Sequence, residues 1–157
     1  MKRLTQNLVS LLHYFTMILF LVMLFIVFMQ VVLRYFVGSS ISGSEEAARY
    51  ILFFLVLLGA SVCVYDKTHL SIEYFQDKLS ELLKIISDLV ISLSIIVTSL
   101  IFIIYGWELA TRSMTQTTPS LQIPRGWIFM AFPVAGVLMF YFQIQHLVKI
   151  GRKEKIL

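Results

Sequence analysis

Long runs of apolar residues dominate this 157-residue sequence. No formally charged residue occurs between Leu4 and Leu33, and three further apolar runs follow, each bounded by polar or charged residues. A helix needs about 20 apolar residues to cross the hydrocarbon core of a bilayer, so each run is long enough to span a membrane. The pattern predicts four transmembrane helices, at about residues 12–36, 47–64, 85–107 and 127–148.

The polar connections differ in character. Glu45 and Glu46 precede the second span, where the dipole of a helix N-terminus favours anions. The last connection, residues 108–125, is rich in Ser and Thr and contains Pro119 and Pro124, a composition that favours extended or turn structure over a helix. Pro133 lies inside the fourth span, where the missing N–H predicts a kink.

Residues 66–84 form the one stretch that is dense in charge. Within and just after it, Phe75, Leu79, Leu82 and Ile86 recur at the spacing of one helix face, while most charged residues lie elsewhere. Because spans flank this stretch on both sides, the pattern predicts a short amphipathic helix at the membrane interface. An ordinary solvated loop helix is the alternative interpretation.

Composition supports a membrane protein, since 59% of the residues are hydrophobic and 14% are charged, against about 25% charged in an ordinary soluble domain. Four spans leave no room for a second, soluble domain, so we expect a single four-helix membrane domain over residues 1–157. Cys63 is the one cysteine and cannot form an intrachain disulfide. The predicted fold class is therefore an all-α integral membrane protein.

The distribution of basic residues predicts the orientation. Most of the 13 Lys and Arg residues lie at the two termini and in the second connection, and the positive-inside rule places these segments in the cytoplasm. Trp107 and Trp127 then lie near the outer boundary, as in an aromatic belt. The basic residues form no continuous stripe, so we do not expect a nucleic-acid partner. Membrane lipids are the expected surroundings.

Few residues have the pattern of a catalytic or cofactor site. The sequence has no phosphate-binding loop, zinc-protease motif or serine-hydrolase elbow, so we expect neither an enzyme nor a cofactor. A membrane anchor of a redox enzyme, with haem or quinone near His13 and His146, is an alternative. A small self-assembling carrier is another, although no ionisable residue lies at the centre of a span, where such a carrier needs one.

Two groups of residues are candidates for contacts with another subunit. The second span contains Gly59, Ala60, Ser61 and Cys63, small residues that either let another helix approach closely or merely fill the helix. At the outer end, Glu46 is placed to pair with Arg49 or with Arg34 across the turn. A local structural role and a contact with a partner protein both remain open for this pair.

Several short motifs together indicate a family. They are Glu45–Tyr50 at the opening of a span, Gly59-Ala60 within it, His69 in the following polar turn, Thr118–Trp127, and Pro133–Gly136. In this order, in a four-span chain of this length, they resemble the small membrane subunit, or DctQ-like component, of tripartite ATP-independent periplasmic (TRAP) transporters. The resemblance covers nearly the whole chain.

The resemblance implies an accessory subunit in the bacterial inner membrane. Its expected partners are a large multi-span subunit, which carries the sodium and substrate sites, and a periplasmic binding protein that delivers an organic anion such as a C4-dicarboxylate or sialic acid. The small subunit is expected to brace the large one and to help dock the binding protein. The motifs and the charge pattern together suggest these interface residues: Arg34, Glu46, Arg49, Gly59, Ser61, His69, Arg112, Pro119, Pro124, Trp127 and Pro133.

Overall fold

The computed structural model describes residues 2–36, 38, 43–66 and 81–154. Five helices occupy them: α1 (Lys2–Phe36), α2 (Ser44–Asp66), α3 (Glu81–Arg112), α4 (Arg125–Phe129) and α5 (Ala131–Glu154). Four stretches are long and apolar enough to cross a membrane, namely Thr5–Phe36, Ser44–Asp66, Ile86–Arg112 and Arg125–Val148. The predicted all-α fold with four spans is confirmed.

Some sequence predictions are not addressed by these residues. The amphipathic interfacial helix falls mainly on residues 67–80, which lie outside the described residues. The side of the membrane on which each end lies, and the single-domain organisation of residues 1–157, also stay predictions.

The helices extend beyond the predicted spans. The 35 residues of α1 make a helix about 50 Å long, which exceeds the hydrocarbon thickness of about 30 Å and requires a tilt or protruding ends. Residues 108–112 were predicted to belong to a connection, but α3 continues through them. Glu108 and Arg112 form an ion pair one turn apart, and Ala110 is fully buried, so this last turn is stabilised on both of its sides.

The helix α5 lies at the centre of the packing, in contact with α2 and α3, while α1 packs on α2. The buried cluster consists of Leu57 from α2 with Ala131 and Ala135 from α5. Phe132 makes edge-to-face contacts with Phe53 of α2 at 5.1 Å and with Phe102 of α3 at 5.3 Å between ring centroids. One aromatic side chain of α5 therefore joins three spans.

Small residues allow α3 and α5 to approach closely. Ser92, Ser99 and Gly106 recur every seven residues along α3, Ser113 continues this spacing one residue after the helix ends, and all four are buried. A Cβ atom added at Gly106 would lie 2.6 Å from the Cβ atom of Phe132, closer than packed carbon atoms come. Seven-residue spacing keeps one seam of a helix facing its neighbour, so this contact has the packing of small residues known from membrane helices.

Pro133 has the effect that its position predicts. The fourth span is divided into α4, which ends at Phe129, and α5, which begins at Ala131, with Met130 between them. In a continuous helix the nitrogen of residue 133 would bond to the carbonyl of Phe129, and proline has no hydrogen to donate. The break therefore falls at the residues where the proline removes a helical hydrogen bond.

Side-chain contacts between the spans show which helix ends lie together at each end of the molecule. Near the start of α1, Thr5 exchanges hydrogen bonds with Gln145 of α5 at 2.8 and 3.0 Å, and His13 Nε2 lies 3.3 Å from Asp66 Oδ2 at the end of α2. These contacts bring the start of α1, the end of α2 and the later turns of α5 to one end of the molecule. The opposite end holds the last turns of α1, the start of α2 and the connection before α4.

Candidate functional site

The candidate site lies at the end opposite the start of α1 and the later turns of α5, where Glu46 joins the start of α2 to the last connection. The Glu46 Oε2 atom accepts hydrogen bonds from the backbone N–H groups of Ser120 at 2.9 Å and Leu121 at 3.0 Å. Its Oε1 atom accepts a bond from the hydroxyl of Tyr50 at 2.7 Å, one turn further along α2. Both oxygens of the carboxylate therefore have partners within the chain.

This geometry corrects the predicted pairing of Glu46. Among the described residues, neither Arg34 nor Arg49 lies within ion-pair distance of Glu46. Arg49 pairs instead with Glu45, at 3.0 Å between Arg49 Nη2 and Glu45 Oε1, and both side chains are largely exposed. The nearest acceptor for Arg49 is one helical turn away on the same face, whereas Glu46 points toward the backbone of the last connection.

The connection itself is an ordered turn, which we call the 118–123 turn after its residues. Thr118 closes it with three bonds: its N–H donates to the Ile123 carbonyl at 2.9 Å, its carbonyl accepts from Gln122 N–H at 3.1 Å, and its Oγ1 accepts from Ile123 N–H at 3.1 Å. Gln122 has a φ of 55°, an unusual backbone conformation for a residue with a side chain. The prediction of turn structure is confirmed for residues 118–123, whereas residues 108–112 of the predicted connection continue α3.

Two glycines bring this turn against the helices. Gly43 has a φ of 88°, and a Cβ atom there would lie 3.1 Å from Cδ2 of Leu121. Gly126, in the first turn of α4, lies so close to α3 that a Cβ atom would be 2.5 Å from the carbonyl oxygen of Ala110. Glycine at both positions therefore lets the turn pack directly on α2 and lets α4 pack directly on α3.

An open polar cavity of about 690 Å³ lies beside the turn. Gln30 and Arg34 from α1, Arg49 from α2, and Pro119 and Ser120 from the turn contribute to its lining. The side-chain nitrogen of Gln30 is buried and has no hydrogen-bond partner within the described residues. Glu45 and Glu46 also line the cavity, so its walls carry carboxylates as well as the guanidinium groups of Arg34 and Arg49.

The structure brings together some of the predicted interface residues and separates others. Arg34, Glu46, Arg49 and Pro119 meet at the cavity, whereas His69 lies outside the described residues. At the same end, Arg112 terminates α3, Pro124 precedes α4 and Trp127 is exposed on α4. Gly59, Ser61 and Pro133 lie elsewhere, within the spans.

The residues within the spans have distinct surroundings. Ser61 is fully buried between α2 and α5, where its hydroxyl lies 3.2 Å from the carbonyl oxygen of Ala135, so its small size serves a contact within this chain. Pro133 is also buried and lies close to Gly106 of α3. A Cβ atom at Gly59 would meet no atom of another described segment within 4 Å, so within the described residues that position is open toward the outside of the helix group.

Sequence reasoning missed Tyr50, Thr118, Leu121 and Gly126 as parts of this site. The i, i+4 spacing of Glu46 and Tyr50 on a helix was a usable signal for their hydrogen bond. Thr118 followed by a proline within a polar stretch was a weaker signal for a hydroxyl that stabilises a turn. The bonds from Ser120 and Leu121 to Glu46 join backbone groups 74 and 75 residues away, and such bonds have no sequence pattern.

The chain matches a known protein family over most of its length. The sequence model of the DctQ component of tripartite ATP-independent periplasmic transporters matches residues 23–152, which include the later part of the first span, the other three spans and the 118–123 turn. This chain belongs to the DctQ family. The predicted resemblance is thereby confirmed, and the chain is a component of a transporter, a class distinct from enzymes.

Individual relatives agree with the family assignment. A Haemophilus influenzae protein described as a TRAP transporter small permease is 28% identical over 139 residues, which are 88% of this chain and 84% of that protein. The sialic acid TRAP transporter small permease SiaQ of Vibrio cholerae is 27% identical over 116 residues, 74% of this chain and 67% of SiaQ. With four apolar helices, this DctQ protein is a multi-pass protein of the bacterial inner membrane.

A further relative is much longer than this chain. The sialic acid TRAP transporter permease SiaT of Haemophilus influenzae is 27% identical over 127 residues, which are 81% of this chain but 21% of SiaT. The DctQ-like sequence therefore occupies about a fifth of SiaT, and the remaining four fifths belong to the same polypeptide.

Proposed function

We propose that this DctQ protein is the small permease subunit of a TRAP transporter that takes up an organic anion. In this role it pairs with a large permease subunit and helps to dock a periplasmic substrate-binding protein. The observation that carries the proposal is the ordered 118–123 turn, tied to α2 by Glu46 at the end of the molecule opposite the start of α1. The predicted orientation assigns that end to the periplasm.

Pairing with a large permease subunit is supported by two features. SiaT joins a DctQ-like sequence to a much longer one in a single chain, which is the arrangement expected when two subunits of a complex become fused. In addition, α1 exposes large apolar side chains along most of its length, among them Tyr14, Phe20, Phe25 and Phe28. Lipid and a second membrane subunit are the two surroundings that such a surface tolerates.

Docking of a binding protein is supported by the exposed residues of this end. Pro119, Ile123 and Trp127 are exposed on or near the 118–123 turn, and Arg112 lies exposed at the end of α3. Exposed apolar side chains with a polar rim are typical of protein interfaces. A turn whose backbone is already fixed loses little conformational entropy on binding, which favours affinity.

The substrate class is proposed from the relatives. SiaQ and SiaT are named for sialic acid, and the family resemblance also allows C4-dicarboxylates. Both are carboxylates, and we propose an organic acid of this kind with sodium as the coupling ion. The specificity sites are expected in the other subunits, so the substrate is a property of the assembled transporter.

Purification from the native host is the first test. A tagged chain, extracted gently into detergent or nanodiscs, is expected to bring with it a roughly stoichiometric and much larger polytopic protein, identified by mass spectrometry. Reconstitution of both chains into proteoliposomes, with the binding protein and a sodium gradient, is then expected to give uptake of radiolabelled sialic acid or succinate that requires every component. Recovery of a defined homo-oligomer that transports on its own contradicts the proposal.

A further inference from the structure

We propose that Glu46 is a positioning residue, which holds the 118–123 turn in the conformation presented to the periplasmic binding protein without touching that protein itself. This inference rests on the docking role proposed above. It differs from the sequence-based expectation, in which Glu46 was a charge available to a partner.

The first argument is that the Glu46 carboxylate is already occupied. Its three hydrogen bonds, from Tyr50, Ser120 and Leu121, measure between 2.7 and 3.0 Å. Hydrogen bonds to an ionised acceptor are stronger than those between neutral groups, and three of the roughly four acceptor positions of this carboxylate are already filled by bonds of the strong kind. A direct contact between Glu46 and the binding protein is therefore disfavoured.

The second argument is that the turn needs support from outside itself. Its internal hydrogen bonds all involve Thr118, and they join Thr118 to Gln122 and Ile123 at the base. The left-handed conformation of Gln122 is a sparsely populated one, which persists when the surroundings hold it. Glu46 supplies that support on the other side of the turn, because it binds the N–H groups of Ser120 and Leu121.

The third argument is that Glu46 is itself held in place. It lies in the first turn of α2, and the Tyr50 hydroxyl orients its carboxylate from one turn further along. The carbonyl of Gly43 accepts a hydrogen bond from Ala47 N–H at 2.8 Å, and a Cβ atom at Gly43 would lie 3.1 Å from Cδ2 of Leu121. A rigid transmembrane helix therefore sets the position of the turn.

The neighbouring residue Glu45 provides a matched control. It carries the same charge one position earlier, its side chain is 84% exposed, and it pairs with Arg49 instead of with the turn. A loss of charge at Glu45 therefore alters the electrostatic field at this end of the protein and leaves the 118–123 turn tied. The pair of variants separates a positioning effect from a general effect of charge.

The experiment measures sodium-driven uptake by the reconstituted complex as a function of binding-protein concentration. For Glu46→Ala we expect the half-saturating concentration to rise about tenfold, the equivalent of one lost hydrogen bond to a charged group, with the maximal rate and the yield of complex unchanged. Glu46→Gln keeps one acceptor oxygen, so its half-saturating concentration is expected to rise less. For Glu45→Ala the half-saturating concentration is expected to stay within about twofold of that of the unmodified protein.

Three results would overturn the inference. Equal shifts for Glu46→Ala and Glu45→Ala would mean that charge, and not position, matters. A lower yield or maximal rate at an unchanged half-saturating concentration would leave Glu46 with a purely structural role. The variant Ile123→Ser changes the exposed part of the turn and separates the remaining cases. If Ile123→Ser shifts the half-saturating concentration and Glu46→Ala does not, only this inference fails. If neither variant shifts it, the docking proposal fails as well.

Discussion

At the scale of single residues, the size of a side chain decides where the spans of this protein meet. Gly106 and Gly59 illustrate two opposite situations on helices of similar composition. A Cβ atom at Gly106 would come within 2.6 Å of Phe132, whereas a Cβ atom at Gly59 would have no atom of another described segment within 4 Å. The sequence shows two glycines in apolar helices and does not distinguish them, because the difference arises from a neighbouring helix.

This difference gives a prediction for stability. Gly106→Ala is expected to destabilise the protein by about 1–3 kcal/mol, since the added methyl group must push α3 and α5 apart. Gly59→Ala serves as the control and is expected to change stability by no more than about 1 kcal/mol, in the favourable direction, because alanine is the better helix former. Thermal unfolding of the purified protein in detergent measures both, and equal melting temperatures for the two variants would contradict the packing described for Gly106.

The surroundings of Glu46 were predicted only in part from the sequence. The two acidic residues in the first turn of α2 and the turn-forming last connection were both visible in the sequence and are confirmed. The partner of Glu46 was predicted wrongly, because a nearby arginine is an evident partner for a carboxylate and two distant backbone N–H groups are not. Arg49 and Glu45 satisfy each other, which leaves Glu46 to bind the turn.

At the scale of helices, apolar run length predicted the number of spans, because the bilayer thickness fixes the length that a span requires. The ends of the helices were less predictable, as α3 shows by continuing to Arg112. The choice of neighbours was not predicted at all. The contact between α3 and α5 depends on a row of small residues, Ser92, Ser99, Gly106 and Ser113. Their seven-residue spacing indicates a packing surface only once α5 is known to lie against it.

The packing of α3 against α5 predicts different effects on stability for substitutions of Ser99 and Ser94. Ser99 is fully buried against α5, where its backbone carbonyl would be 2.8 Å from a Cβ atom at Gly136, while Ser94 is exposed on another face of the same helix. Ser99→Leu is expected to separate α3 from α5 and to lower stability by about 1–3 kcal/mol. Ser94→Leu places the same side chain on the outer face and is expected to be nearly neutral.

Limited proteolysis and thermal unfolding of the two leucine variants in the same detergent provide the measurement. The expected result is faster cleavage and a lower melting temperature for Ser99→Leu than for Ser94→Leu. If Ser94→Leu proves the more damaging variant, the exposed face of α3 is a site of packing and the assigned seam is wrong.

At the scale of the whole molecule, the proposed role requires a defined orientation and a partner in the membrane. The contacts of Thr5 with Gln145 and of His13 with Asp66 place the start of α1 and the later part of α5 at one end. The positive-inside rule assigns that end to the cytoplasm, which would leave Glu46 and the 118–123 turn accessible to a periplasmic protein. The single cysteine makes this orientation testable.

Cys63→Ser provides a background without cysteine, into which one new cysteine is introduced at a time. Ser120→Cys, in the exposed turn, is expected to react with a membrane-impermeant maleimide in intact spheroplasts. Lys153→Cys, near the C-terminus, is expected to react only after the membrane is opened. The opposite pattern of labelling would reverse the orientation and would remove the basis of the docking proposal.

The partner in the membrane leads to a prediction at Gly59, whose open surroundings within this chain leave room for a helix from elsewhere. If the large subunit packs on this face, Gly59→Leu blocks the close approach and is expected to lower the amount of large subunit that co-purifies, by several-fold or more. Gly59→Ala, which adds one methyl group, is expected to have a smaller effect. A Cβ atom at this position meets no other described part of the chain within 4 Å, so we expect the melting temperature of the isolated subunit not to fall. Unchanged recovery of the complex and unchanged uptake for Gly59→Leu would assign this face of α2 to lipid and direct the search for the subunit interface to the exposed apolar side chains of α1.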